Sequence, residues 1–141
     1  LPTAALVAAI QGLKINEALV SGDTLLAFRG ASDGKKIPFD GNVAMVRYPW
    51  DLFAHNKQEI EADFDLLTAG RTSAPITDPH TKTYGDRIFL EEGAKVKAAV
   101  LNAETGAIYL GKNSEVQEGS VIRGSFALGE SSVVNMGAKM R

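Results

Sequence analysis

Near its C-terminal end this 141-residue chain places an aliphatic residue at every sixth position: Leu110, Val116, Ile122, Leu128, Val134 and Met140. Four residues after each of the first five come Ser114, Ser120, Phe126, Ser132 and Ala138, four of them small. A period of six fits neither the 3.6-residue turn of an α-helix nor the two-residue alternation of a hairpin sheet. It fits a parallel β-helix whose short strands turn a corner every sixth residue, with about 18 residues to one three-sided turn. On this reading the aliphatic side chain points into the coil and the small one sits at the tight corner. Gly93, Gly111, Gly119, Gly124, Gly129 and Gly137 stand at the corners. An earlier run has Leu90 and Val96, with Ala94 and Val100 four residues on, and is two residues out of phase with the later one. Asn102–Gly106 lies between the runs and contains loop formers, so it reads as an insertion that resets the phase.

Composition narrows the function classes. Apolar residues make up 45% and charged residues 23%, the balance of a soluble globular chain and too apolar for disorder. Fifteen basic and 17 acidic residues leave a net charge of −2, so the chain has no global electrostatic reason to bind nucleic acid. No apolar run approaches the roughly 18 residues of a membrane-spanning helix. The absence of cysteine excludes disulfides and thiolate metal sites and fits a cytoplasmic protein. The chain starts at Leu1 without a signal-peptide pattern, and its repeat runs on to Arg141. From these ends a piece of a longer polypeptide is expected.

The N-terminal half carries other patterns. Residues 3–12 predict a short helix with Thr3 as cap and Gly12 as stop. Ala18–Val20 and Thr24–Phe28, joined by Ser21-Gly22-Asp23, predict a hairpin. Asn42–Arg47 predicts a further strand, ended by Tyr48-Pro49. A helix is expected from Trp50 to Leu67, started by Pro49 and ended by Gly70, with Leu52, Phe53, Asn56, Ile60, Phe64 and Leu67 near helical spacing. Residues 71–80, rich in Pro, Ser and Thr, read as a linker.

The repeat over residues 88–141 resembles the hexapeptide-repeat family of acyltransferases and sugar nucleotidyltransferases. A Pro49-Trp50-Asp51-Leu52 helix leading into such repeats, together with residues 13–30 and the stretch YLGKNSEVQEGSVIRG at 109–124, is similar to bacterial sugar-1-phosphate nucleotidyltransferases. Within them it resembles relatives of the bifunctional N-acetylglucosamine-1-phosphate uridylyltransferase/acetyltransferase. The resemblance implies an α+β piece followed by a left-handed parallel β-helix. Residues 1–70 would be the last part of a nucleotidyltransferase domain, 71–83 a linker and 84–141 the first coils. It also implies a homotrimer, nucleotide and sugar phosphate as partners, and Mg²⁺ in the parent enzyme, with no cofactor expected on the fragment itself. Two alternatives stand beside it: a non-catalytic assembly or regulatory module, and an acyl-CoA-dependent acyltransferase, which would need a histidine in later coils.

The chain departs from the family where chemistry is concerned. The family's Gly-rich loop followed by basic residues, whose N–H groups cradle a triphosphate, has no match. Gly30-Ala31-Ser32-Asp33-Gly34-Lys35-Lys36 lacks the spacing and reads as a solvated turn. His55 and His80 have no second ligand at metal-binding spacing, and no nucleophile elbow is present. Asp51 suits a helix start, while Glu59, Glu61 and Asp63 read as a solvated face, with Asp65 nearby. No catalytic or metal-ligating residue is therefore assigned. Arg123 and Asn135 are the candidate substrate contacts, because the resemblance puts phosphate-binding basic and amide groups at coil edges and Arg grips phosphate with a two-pronged fork.

Overall fold

A computed structural model describes residues 2–141. The chain divides into two compact units, Leu1–Arg47 and Tyr48–Arg141.

In the first unit, helix α1 (Ala4–Gln11) begins at Thr3, whose hydroxyl accepts the Leu6 N–H at 3.2 Å, and stops at Gly12. That hydroxyl satisfies one of the donors a helix start leaves open. Strands β1 (Glu17–Ser21) and β2 (Thr24–Arg29) form the expected antiparallel hairpin. Strand β3 (Lys35–Pro38) lies parallel to β1 on its other side, so the order is β2-β1-β3. The central strand supplies the buried Ala18 and Leu19, which with Leu13 make up this unit's core. The strand expected over 42–47 does not form, and those residues have no regular structure. Pairing falls instead to a segment whose first residues read as part of a turn. Asn16 explains the difference. Its N–H donates to the Arg29 carbonyl at 2.7 Å and its carbonyl accepts the Lys35 N–H at 2.8 Å. The chain leaving β2 is thereby returned at once to the free edge of β1, which residues 42–47 then find occupied.

The second unit opens with helix α2 (Pro49–Thr68), one residue longer at each end than expected. Pro49 stands at its first position, and the Tyr48 N–H donates to the Asp51 carboxylate at 2.9 Å. Ten short strands follow: β4 (Lys82–Tyr84), β5 (Ile88–Leu90), β6 (Lys95–Val96), β7 (Val100–Asn102), β8 (Ile108–Leu110), β9 (Glu115–Val116), β10 (Val121–Arg123), β11 (Phe126–Leu128), β12 (Val133–Val134) and β13 (Lys139–Met140). They form three parallel sheets, β4-β7-β10-β13, β5-β8-β11 and β6-β9-β12. The chain visits the sheets in turn and returns to each after three strands, a topology compatible with a parallel β-helix.

Register shows the repeat directly. Ile108 pairs with Phe126, Glu115 with Val133 and Val121 with Lys139, each eighteen residues on. Across Asn102–Gly106, Ile88 pairs with Ile108 and Lys95 with Glu115, twenty residues on. The two extra residues are the phase change seen in the sequence. Leu90, Val96, Leu110, Val116, Ile122 and Val134 fill the coil as buried residues, while Leu128 is half-buried and Met140 is exposed. At the corners Ser114 and Ser120 are also buried, and the Ser120 hydroxyl donates to the Asn135 carbonyl at 3.0 Å.

Residues 71–80 do more than connect. Along the free edge of β5, the Ala74 N–H donates to the Leu90 carbonyl and the Ser73 hydroxyl accepts the Leu90 N–H, both at 2.9 Å. The Asp78 carboxylate accepts the Ala98 N–H at 2.8 Å, and Ala74 and Ile76 pack on the coil's core. The stretch therefore covers main-chain groups and apolar surface that the first turn would otherwise expose. Among the described residues no helix is long and apolar enough to cross a membrane.

The core predicts its own sensitivity. Ile122 has no solvent-exposed surface, so Ile122→Ala should cost about 2–5 kcal/mol in urea unfolding. Replacing the exposed Met136 by Ala should stay within about 0.5 kcal/mol of the parent.

Candidate functional site

One carboxylate on α2 organises the surface where helix and coil meet. Glu61 Oε1 accepts the Ala107 N–H at 2.8 Å and the Ser125 hydroxyl, and Oε2 accepts from Arg87 at 3.0 Å. Arg87 also pairs with Asp65 at 2.9 Å and lies over the Phe64 ring, 4.9 Å from its centroid. Phe64 is the buried residue of α2 and packs with Phe89, Ala107 and Tyr109 on the outer face of the β5-β8-β11 sheet. The remaining apolar positions of the helix pattern do not share that burial: Leu52, Phe53 and Leu67 are exposed. Glu61, which read as part of a solvated face, is instead the helix's polar anchor. Helical spacing ranks side chains by apolarity, whereas the partner of Glu61 is a backbone N–H on a turn of the coil.

Burial pushes the Glu61 pKa up. The donations from Ser125, Ala107 and Arg87 outweigh it and hold the carboxyl below its ordinary 4.5. Two glycines allow the close approach. A Cβ on Gly106 would lie 2.6 Å from the Ser125 nitrogen and 2.7 Å from Glu61 Oε1. A Cβ on Gly124 would lie 2.8 Å from the Ala107 carbonyl oxygen. Both distances are shorter than a side-chain carbon tolerates.

Beside this anchor lies a cleft of about 420 Å³ lined by Phe53, Asn56 and Lys57 of α2 and by Thr105, Arg123, Gly124, Ser125 and Arg141. Phe53, Asn56 and Lys57 share one helix face by their spacing of three and four. A second cleft of about 400 Å³ adjoins it through Arg123 and Arg141 and adds Val121, Lys139 and Met140. Four cationic side chains thus line the two clefts, and no acidic side chain lines either. The hydroxyls are already committed as donors, Thr105 to the Gly124 carbonyl at 2.8 Å and Ser125 to Glu61. The donors left to face the cleft are the cations and the Asn56 amide. Such a lining matches a ligand made of acceptors and negative charge.

The sequence candidates are therefore separated. Arg123 ends β10 and lines both clefts. Asn135 lies in the turn between β12 and β13, where its carbonyl accepts from Ser120 and from the Ala138 N–H, and it lines neither cleft. Lys57, Asn56 and Phe53, which line the same cleft as Arg123, were not singled out by the sequence pattern. Their common helix face was legible, but its position opposite Arg123 was not. Elsewhere the His80 N–H donates to Asp78, and His55 lies half-buried on α2. Gly30–Gly34 links β2 to β3. Among the described residues no three His, Asp or Glu side chains stand together as a metal site.

Residues 1–72 match the family described as sugar nucleotidyl transferase. The chain belongs to that family. No curated protein sequence and no solved structure matches it.

Two predictions follow from the anchor. Because the Glu61 pKa is lowered on folding, its stabilising effect is complete above about 4.5 and is lost as pH falls through the folded-state value. Glu61→Gln should lower stability by about 1 kcal/mol near pH 7, a figure discounted for partial exposure, and should flatten the acid limb of the stability curve. Urea midpoints between about pH 7 and 3.5 give both readings. Gly106→Ala should destabilise by about 1–3 kcal/mol through overpacking at Ser125 and Glu61. Thermal unfolding of that variant checks the close approach.

Proposed function

We propose that this chain belongs to an enzyme that transfers a nucleotidyl group from a nucleoside triphosphate to a sugar-1-phosphate, releasing pyrophosphate. The observation that carries the reading is the sugar nucleotidyl transferase match over residues 1–72, which runs directly into a stack of parallel strands. On this reading the coil is left-handed, built of hexapeptide repeats and related to the uridylyltransferase/acetyltransferase group. Residues 1–70 form the end of the transferase domain, 71–83 join it to the coil and 84–141 begin the coil. The Gly-rich loop that cradles the triphosphate lies in further polypeptide of a cytoplasmic enzyme. The coil assembles three copies, because stacked turns expose apolar positions such as Val121 and Val133 that a neighbour covers.

In the reaction so proposed, Mg²⁺ supplies charge neutralisation at the transferred phosphate. Among the described residues no group of acidic or histidine side chains fits that ion. What these residues contribute is positioning. Arg123 offers a planar fork to a substrate phosphate, and Asn135 offers an amide at another corner of the coil.

The test is pyrophosphate release by the natural full-length protein, supplied with nucleoside triphosphates, sugar-1-phosphates and Mg²⁺. Turnover that requires both substrates and the ion is the expected result. A folded protein that turns over no combination would overturn the reading and leave a non-catalytic assembly module. Light scattering on the same sample should give three times the monomer mass.

A further inference from the structure

We propose that the opening turn of the coil binds an extended peptide from a partner polypeptide, added as a parallel strand beside β6 and carrying an acidic residue followed by an aliphatic one. The site lies wholly within the second unit, and the inference does not rest on the transfer reaction.

Successive turns of the coil show which main-chain bonds belong at this place. The Lys95 and Lys97 N–H groups donate to the Ser114 and Val116 carbonyls at 2.8 and 3.0 Å. Those of Glu115 and Gln117 donate to the Ser132 and Val134 carbonyls at 2.9 and 3.0 Å. By the same repeat the Ala94 and Val96 carbonyls face away from β9, toward the start of the coil. The Val96 N–H faces that way too, since neighbouring N–H groups along a strand alternate in direction. β6 is the last strand of its sheet. Residues 71–80 serve the edge of β5 and the Ala98 corner through Ser73, Ala74 and Asp78, but Pro75, Ile76 and Thr77 make no main-chain hydrogen bond to β6. Val96 is only 5% exposed, so leaving its N–H unpaired is costly, and an added strand would satisfy it.

A slot of about 410 Å³ runs between this edge and residues 75–79. Those residues wall its far side, so it takes a single extended segment rather than the end of a second coil. Main-chain pairing supplies affinity in such strand addition, and side chains supply the choice of sequence. Val96, Val116 and Val134 stack above one another inside the coil, so the inward residue of the added strand is aliphatic. On the outer face Lys97 is bound to Glu115 at 2.7 Å, whereas exposed Lys95 has no ion pair among the described residues. An acid level with Lys95 on the added strand would stand directly beside it. Asp78, the acid in the lining, is engaged at the corner, where it accepts the Ala98 N–H, the His80 N–H and the Thr81 hydroxyl.

The test titrates the ¹⁵N-labelled 141-residue chain with the peptide acetyl-Ala-Glu-Val-Thr-amide while amide shifts and hydrogen exchange are followed. Expected are saturable shifts at Ile76, Thr77 and Val96 and slower exchange of the Val96 N–H. In the proposed register the peptide's Glu and Thr N–H groups face the Ala94 and Val96 carbonyls. N-methylating both should weaken binding roughly fivefold or more, while N-methylating its Val, whose N–H points away, should leave binding unchanged. Exchanging the peptide's Glu for Lys should weaken binding about twofold to fivefold, and Lys95→Glu should reverse that order. Lys95 is exposed, so the variant should keep the parent's circular dichroism and unfolding midpoint. Absence of saturable shifts at Val96 would overturn the proposal, as would equal losses from methylation at all three peptide positions. A Val96 amide that exchanges without peptide as slowly as its ladder partner Val116 would overturn it too. In that case protection that grows with protein concentration would assign the edge to a second copy, and protection that does not would assign it to residues 75–77. Equal binding of the Glu and Lys peptides would overturn the acidic assignment.

Discussion

The arrangement of the second unit depends on the three donations to Glu61. A helix lying on a sheet buries apolar surface without fixing where along the sheet it rests. α2 buries little, since Phe64 is its one buried residue. The carboxylate therefore supplies what packing does not. It takes a main-chain N–H, a hydroxyl and a guanidinium from three separate strand connections, and it can satisfy all three from one position only. Phe53, Asn56 and Lys57 face Arg123 because Glu61, one turn further along the helix, is held there. Positioning of the cleft and docking of the helix are one physical event.

The coil obeys a different logic. Each strand of two or three residues is too short to be stable by itself, and its main-chain groups are satisfied by the turn before and the turn after. Inside, aliphatic side chains stack above one another at equivalent positions, as Leu90, Leu110 and Leu128 do along one ladder. Where a ladder edge has no further strand, other groups cover it: Ser73, Ala74 and Asp78 do so at the start of the coil. The half-buried Leu128 and exposed Met140 show the stacking thinning toward the other end.

What the sequence disclosed follows from which interactions are periodic. The parallel turns were legible because core packing repeats every six residues, and even the phase slip at Asn102–Gly106 appeared as a change of offset. The limits of α1 and the extent of α2 were legible because Thr3, Gly12 and Pro49 act locally on the backbone. The strand placed over 42–47 was misjudged because β3 is chosen by Asn16, a contact across the hairpin that no window around residue 45 contains. The place of Arg123 at a coil edge was legible from the repeat. Its companions on α2 were not, because their approach is set by Glu61 meeting an N–H that only the folded coil presents.

That N–H belongs to Ala107, at the exit of the lengthened turn after β7. A surface made of stacked, near-identical rungs offers an approaching helix several equivalent seats, each about 4.8 Å from the next. Hydrophobic contact alone would distinguish them poorly. The longer turn ending at Gly106 breaks that translational symmetry and marks a single rung. The insertion is thus an address: it tells the helix where on a repetitive wall to stop, and later rungs can be added or lost without moving it.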